Sequence, residues 1–188
     1  MNPATDPGLD VTHLQGAIAG LIRASVLATL GEAQREAMLA ALEGPARSLA
    51  LQAPAPGDWV PTAHLAAFLA AARLVSPVRT ERARAQLQAD LVMEGKSGPG
   101  TPEDLVAGLP AIYAEVHRGG RVSVAHLGPG EARIVLHARY PYPEWYSEVL
   151  PRWIQHALQR SGAARATVEH RPPAPGGDPW CHGYDLRW

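Results

Sequence analysis

The sequence predicts one α+β domain in which a helical N-terminal half packs on a small antiparallel sheet of about four strands. Residues 9–118 mostly show the spacing of helices, whereas residues 119–188 alternate like strands around one helical segment. A length of 188 residues suits one domain with a sizeable core. We treat residues 9–188 as a single domain, because the C-terminal β-β-α-β-β unit has only one helix of its own to cover a sheet face.

The composition is that of a globular protein, with 46% hydrophobic and 19% charged residues. A net charge of −1 gives no general attraction for nucleic acid or an anionic membrane surface. The single cysteine, Cys181, excludes an intramolecular disulfide and favours a reducing compartment. Residues 1–8 lack the features of a secretory signal and are predicted to be a flexible tail. We therefore expect a cytoplasmic protein that neither enters a membrane nor binds nucleic acid.

The N-terminal half is predicted to be a series of helices separated by loops. Gly44-Pro45 is expected to end the second helix, and residues 53–61, rich in Pro, are expected to form a loop that docks Trp59 on the core. Residues 94–100 form a linker whose Gly-Lys-Ser lacks the earlier glycine of a phosphate loop, since Asp90 stands there. The predicted helices are residues 9–30, 32–42, 61–74, 80–93 and 101–117.

The C-terminal half begins after Gly119-Gly120 with two alternating segments, residues 121–127 and 132–139, joined by a Gly-Pro-Gly turn. This pattern predicts a hairpin. A helix is expected over residues 144–160, with Pro151 opening its second segment. Strands are expected over residues 166–171 and 181–188. The inward-facing positions of the second hairpin strand are predicted to be Ala132, Ile134, Leu136 and Ala138.

No set of residues in the sequence identifies a catalytic or metal site. None of the eight histidines has the spacing of a helical metal site, and no Gly-x-Ser-x-Gly elbow is present. The polar face of the sheet carries Arg133, His137 and Arg139, with Glu169 and Asp185 on neighbouring strands. A solvated face with cross-strand ion pairs is the favoured interpretation, and the polar wall of a ligand site is the other.

Aromatic residues cluster where the hairpin passes into the following helix. Five of them lie within fourteen residues: Tyr140, Tyr142, Trp145, Tyr146 and Trp153. Two interpretations have equal weight. One is a hinge packed on the core, and the other is a pocket rim or interface anchor, because Tyr and Trp are favoured in such roles.

The order of these segments resembles an uncharacterised bacterial family. That family is similar to the superfamily of heme–nitric oxide binding and four-vinyl-reductase-type small-molecule-binding domains. The segments that carry the resemblance are Trp-Val-Pro at 59–61, Leu-Pro-Ala-Ile-Tyr at 109–113, Gly-Gly-Arg-Val at 119–122, Gly-Pro-Gly-Glu-Ala at 128–132, and Tyr-Asp-Leu-Arg-Trp at 184–188.

The resemblance implies a helical cap on an antiparallel sheet with a pocket between them. The heme-binding branch carries Tyr-x-Ser-x-Arg, and the nearest segment here, Tyr146-Ser147-Glu148, does not match it. The vinyl-reductase-type branch often carries a cysteine-based metal site, and Cys181 is alone. Neither heme nor zinc is therefore carried over, and the cofactor is unknown.

The resulting hypothesis is a non-enzymatic sensory or regulatory domain that binds a small apolar or aromatic ligand. The alternative is a protein-interaction module that forms a homodimer through the aromatic link or the sheet, and an enzyme is the third hypothesis. The predicted ligand-binding residues are Tyr113, His137, Arg139, Tyr140, Trp145 and Trp153.

Overall fold

The computed structural model describes residue 8 and residues 10–76, 100–141 and 150–188. The helices in this part of the chain are α1 (Gly16–Thr29), α2 (Glu32–Ala40), α3 (Gly44–Leu51), α4 (Thr62–Val75), α5 (Pro102–Val116) and α6 (Leu150–Arg160). The strands are β1 (His13–Gln15), β2 (Trp59–Pro61), β3 (His117–Arg118), β4 (Arg121–Gly128), β5 (Glu131–His137), β6 (Thr167–Arg171) and β7 (Cys181–Arg187).

The described strands form two antiparallel sheets. The larger has the order β4-β5-β7-β6, so the C-terminal strand lies between the hairpin and β6. Its register places His137 opposite both Arg121 and Cys181. The smaller sheet has the order β2-β1-β3 and joins the N-terminal half to the end of α5. The α+β architecture and the four-stranded sheet are confirmed, whereas the smaller sheet was not predicted.

Two clusters of buried side chains hold the fold together. One lies between the four-stranded sheet, α5 and α6, and its fully enclosed members include Leu105, Leu136, Ile154 and Tyr184. The other lies among α1–α4 and encloses Phe68, Leu65 and Met38. We call them the sheet-side core and the helix-side core. Each owes its stability to apolar area removed from water, about 25 cal/mol per Å².

The hairpin and its helices agree closely with the sequence. All four predicted inward positions are buried: Ala132, Ile134 and Leu136 in β5, and Ala138 directly after it. Helix α5 is capped by Thr101, the first residue of the predicted helix, since the Asp104 amide donates to Thr101 Oγ1 at 3.2 Å. Pro110 lies inside α5, and the helix continues through it. Pro151 lies in α6 directly after its first described residue, Leu150.

Two predictions about the N-terminal half were wrong. The predicted helix over 9–30 begins only at Gly16, because the preceding residues pair as β1 with β2 and β3. Gly44-Pro45 does not merely end a helix but opens α3, since proline is accepted in a first helical turn. The predicted helix over 80–93 and most of the linker over 94–100 lie outside the described residues.

The turn between α5 and the hairpin depends on glycine. Gly119 has φ +92°, and a Cβ at this position would lie 1.9 Å from the Asp10 carbonyl oxygen. Its neighbour Gly120 has φ +72°, and a Cβ there would lie 2.5 Å from the Tyr113 hydroxyl. The chain therefore passes very close to itself at the point where the helical half meets the sheet.

No described helix is both long and apolar enough to cross a membrane.

Candidate ligand-binding site

A cavity of about 60 Å³ lies in the sheet-side core. Its walls come from the C-terminal half of α5, the start of α6, the inner faces of β4 and β5, and Ile18 of α1. The lining is apolar apart from one imidazole and one phenol. The lining residues are Ile18, Leu109, Ile112, Tyr113, Val116, His117, Val122, Ile134, Leu136, Leu150, Trp153 and Ile154.

The polar end of this cavity is formed by His117 between two tyrosines. The His117 ring stacks on Tyr113, with centroids 4.2 Å apart, and meets Tyr140 edge-on at 5.7 Å. The Tyr140 hydroxyl donates to the Tyr113 hydroxyl at 3.2 Å, and the Tyr113 hydroxyl lies 3.3 Å from the Gly119 carbonyl oxygen, to which it donates. The three rings are thus fixed by packing and by hydrogen bonds.

His117 is held in its neutral form. Burial lowers its pKa to about 4, although the Tyr113 carbonyl acts in the opposite direction. The residue as a whole is half-buried, but its Nε2 atom is enclosed. Because Nδ1–H donates to the Tyr113 carbonyl at 3.2 Å, the ring proton is on Nδ1 and the lone pair is on Nε2.

The structure distributes the predicted ligand-binding residues over three places. Tyr113 and Trp153 line the cavity, and Tyr140 contacts its polar end. Arg139 and Tyr140 also line a separate open cleft beside Asp10. His137 lies on the outer face of the sheet, where its Nε2 is 3.8 Å from Cys181 Sγ. Trp145 lies outside the described residues.

The outer face of the sheet is a network of ion pairs. Asp185 accepts from Arg133 Nε at 2.6 Å and from Arg171 Nε at 3.0 Å, and the hydrogen bond from Arg133 is the main reason why the pKa of Asp185 is lowered. Arg171 also pairs with Glu169 at 3.0 Å. The favoured interpretation of this face, cross-strand ion pairs, is confirmed for the two pairs that Asp185 makes, whereas Arg171 and Glu169 lie on the same strand.

The described residues offer neither a metal cluster nor an activated thiol. No group of three or more His, Cys, Asp or Glu side chains in this part of the chain is arranged to hold a metal ion. Burial raises the pKa of the Cys181 thiol and lowers that of the adjacent His137 imidazole. Both shifts oppose the thiolate–imidazolium form that a nucleophilic cysteine needs.

Sequence reasoning missed His117 as part of the cavity, because each single histidine was interpreted as an ordinary surface or partly buried residue. A usable signal was present in the spacing. Tyr113 and His117 are four residues apart at the end of a helix, so their rings lie on one face.

Solved structures with the same architecture include an H-NOX protein and a mutant of it. An Fe(II) unliganded H-NOX protein from K. algicida has 9% sequence identity and a TM-score of 0.66, covering 93% of this chain and 96% of that one. A mutant of that protein gives 8% identity and a TM-score of 0.67, with the same coverage. A third structure concerns protein-induced porphyrin distortion and heme redox potential; it has 7% identity, a TM-score of 0.69, and coverage of 93% and 100%.

The chain has the H-NOX fold. The resemblance noted in the sequence is thereby confirmed at the level of the fold. No protein-family model matches the chain. No curated protein matches it in sequence.

A heme does not fit the cavity of this H-NOX fold as the structure shows it. Pockets for drug-sized molecules have about 300–1,000 Å³, whereas this cavity has about 60 Å³. The neutral His117 imidazole is chemically suited to bind iron. However, the described lining residues include no Arg or Lys to pair with the two carboxylates of a heme. Size and lining therefore both disagree with this cofactor.

Proposed function

We propose that this chain is a sensory domain that binds a small apolar molecule directly in the cavity, without heme. The observation that carries the proposal is an apolar cavity at the centre of the H-NOX fold whose one imidazole is kept neutral. A buried apolar cavity of about 150 Å³ stays dry and binds benzene or xenon. A cavity of about 60 Å³ suits a molecule of only a few heavy atoms.

The residues around the cavity suit binding and not turnover. Ile134, Leu136 and Ile154 are at most 2% exposed and provide an apolar surface with no reactive group. The Tyr113–His117–Tyr140 arrangement is held by hydrogen bonds and ring contacts, so a ligand slightly larger than the cavity would shift the packing of α5 against the sheet. This coupling between an occupied cavity and the position of a helix is what a sensor requires.

Xenon is the probe that tests this proposal, and a substitution that fills the cavity should abolish its binding. Val122→Phe adds volume at a cavity wall, whereas Val124→Phe adds the same volume two residues along the same strand, outside the lining. We expect xenon-saturated buffer to shift the methyl resonances of Ile112, Ile134 and Leu136 in the wild type and in Val124→Phe, and to leave Val122→Phe unshifted.

The heme question is answered on the same samples. Titration with hemin should give no saturating one-to-one Soret change, and the absorption spectrum and native mass of protein from its own host should show no heme. A stoichiometric heme in either measurement would overturn the heme-free proposal. Equal xenon shifts in both phenylalanine variants would show that the cavity is not the binding site.

Self-association is the second candidate, and the exposed Leu127 favours it. Leu127 is 55% exposed near the end of β4, which is an edge strand of the described sheet. Edge strands with exposed apolar residues pair readily with other chains. We expect a homodimer in light scattering at high concentration, and Leu127→Glu should weaken it while the exposed Leu74→Glu does not. A strictly monomeric wild type would contradict this candidate.

A further inference from the structure

A second cleft, of about 450 Å³, lies between the N-terminal segment and the end of β5. We call it the Asp10–Arg139 cleft. Its volume is within the range of about 300–1,000 Å³ that is usual for small-molecule sites. Its described lining includes one cation, one anion, two threonines and two aromatic residues, namely Arg139, Asp10, Thr12, Thr62, Tyr140 and Trp180. Tyr140 lines this cleft and also contacts the polar end of the cavity in the sheet-side core.

The two charges of the cleft are held in place by the main chain. Arg139 Nη1 donates to Asp10 Oδ1 at 2.8 Å. The Val11 amide donates to the Arg139 carbonyl at 3.0 Å, so the segments that carry the two charges are themselves hydrogen-bonded. The ion pair is not shielded from the cleft, since the side chains of Arg139 and Asp10 are 26% and 45% exposed.

The Trp180 ring makes a second contact with the Arg139 guanidinium. The Arg139 guanidinium carbon lies 4.7 Å from the centroid of the Trp180 ring, which is a cation–π contact. The Trp180 carbonyl accepts from the Ala138 amide at 3.2 Å, so the ring is anchored beside the strand end. The partly exposed Trp180 thus adds aromatic surface next to a fixed pair of opposite charges, whereas Tyr140 is buried.

We propose that this cleft binds a zwitterion of the α-amino-acid type with an apolar side chain. A simple anion at Arg139 would be repelled by Asp10, and a simple cation at Asp10 would be repelled by Arg139, because the two groups are in direct contact. A molecule that carries both charges a few ångströms apart matches both groups, with its carboxylate at Arg139 and its ammonium at Asp10. Its side chain contacts Trp180. The proposal does not depend on whether a ligand binds in the cavity of the sheet-side core.

The test uses three related probes on the unmodified full chain. L-phenylalanine carries both charges, N-acetyl-L-phenylalanine lacks the ammonium, and L-phenylalaninamide lacks the carboxylate. We expect L-phenylalanine to bind with a Kd of about 1 mM or tighter by calorimetry. Each analogue should bind about tenfold more weakly, because one charged hydrogen-bond partner is lost. Equal binding of all three, or no binding of L-phenylalanine, would overturn the proposal.

Variants then locate the site. Arg139→Gln and Asp10→Asn should each weaken L-phenylalanine binding about tenfold or more. The matched control is Arg133→Gln, which removes a 2.6 Å ion pair on the outer face of the sheet and should leave binding unchanged. Circular dichroism shows whether each variant folds. The probe series needs no variant, so it decides the question even if Arg139→Gln fails to fold. Unchanged binding in folded Arg139→Gln would show that the Asp10–Arg139 ion pair only holds the segment around Asp10 against the end of β5 and does not bind the ligand.

Discussion

Gly119→Ala is expected to lower the free energy of unfolding by about 2–5 kcal/mol. A residue with a Cβ at φ +92° is strained by about 1–2 kcal/mol. The new Cβ would also lie 1.9 Å from the Asp10 carbonyl oxygen, so main chain must move, which costs about 1–3 kcal/mol more. Urea unfolding followed by circular dichroism measures the change as a lower midpoint at an unchanged slope.

Gly128 provides the matched control for this substitution. It lies at the end of β4 without a positive φ, and a Cβ added there would have no other atom within 4 Å. Gly128→Ala should therefore change the free energy of unfolding by no more than about 0.5 kcal/mol. If Gly119→Ala were as stable as Gly128→Ala, the close approach between the α5–β4 turn and the N-terminal segment would be wrong.

The protein should lose stability as the pH falls from about 6.5 to about 4, and His117 should account for much of the loss. Its pKa is about 4 in the folded chain and 6.5 without burial. In this window the unfolded chain binds a proton that the folded chain does not, so protonation favours unfolding. The full difference is worth up to about 3 kcal/mol. His182, whose pKa burial also lowers to about 4, acts in the same direction.

Unfolding free energies measured across this pH range in His117→Gln should show a flatter dependence than the wild type, because glutamine does not titrate. His126→Gln is the control, since His126 is exposed on β4 and should leave the wild-type slope intact. An unchanged slope in His117→Gln would mean that the imidazole is not enclosed.

The sequence was most informative where one physical requirement decided the structure. The alternation of Ala132, Ile134 and Leu136 leaves only one way to bury a strand face, and the structure buries all three. Likewise, the Thr101-Pro102 pair meets the hydrogen-bonding needs of a helix start, and α5 begins there. Local chemistry was sufficient in these places.

The sequence was least informative where segments that are far apart in the chain decide the conformation. Leu14 has a spacing compatible with a helix, but pairing with Val60 and His117 draws it into β1. These partners are far away in sequence, so no local window contains them. Helix α3 was missed for a different reason, because Gly44-Pro45 can end one helix and begin the next.

The sequence indicated the region of the candidate site but not all of the residues that form it. Tyr140 and Trp153 were chosen from aromatic clustering and Tyr113 from the helix over residues 101–117, and all three lie at or beside the cavity. His137 and His117 look alike in sequence, yet one is on the outer face of the sheet and the other is at the cavity. Only the register of the sheet and the end of α5 distinguish them.

Val11 and Leu14 are three residues apart but belong to different cores, the first to the sheet-side core and the second to the helix-side core. Between them the chain is bonded on both flanks, since the Thr12 amide donates to Arg118 and the Thr62 amide donates to Thr12. Residues 11–14 therefore contribute side chains to both cores while their main chain is hydrogen-bonded on both flanks. A substitution that moves this segment would disturb the packing of the two cores together.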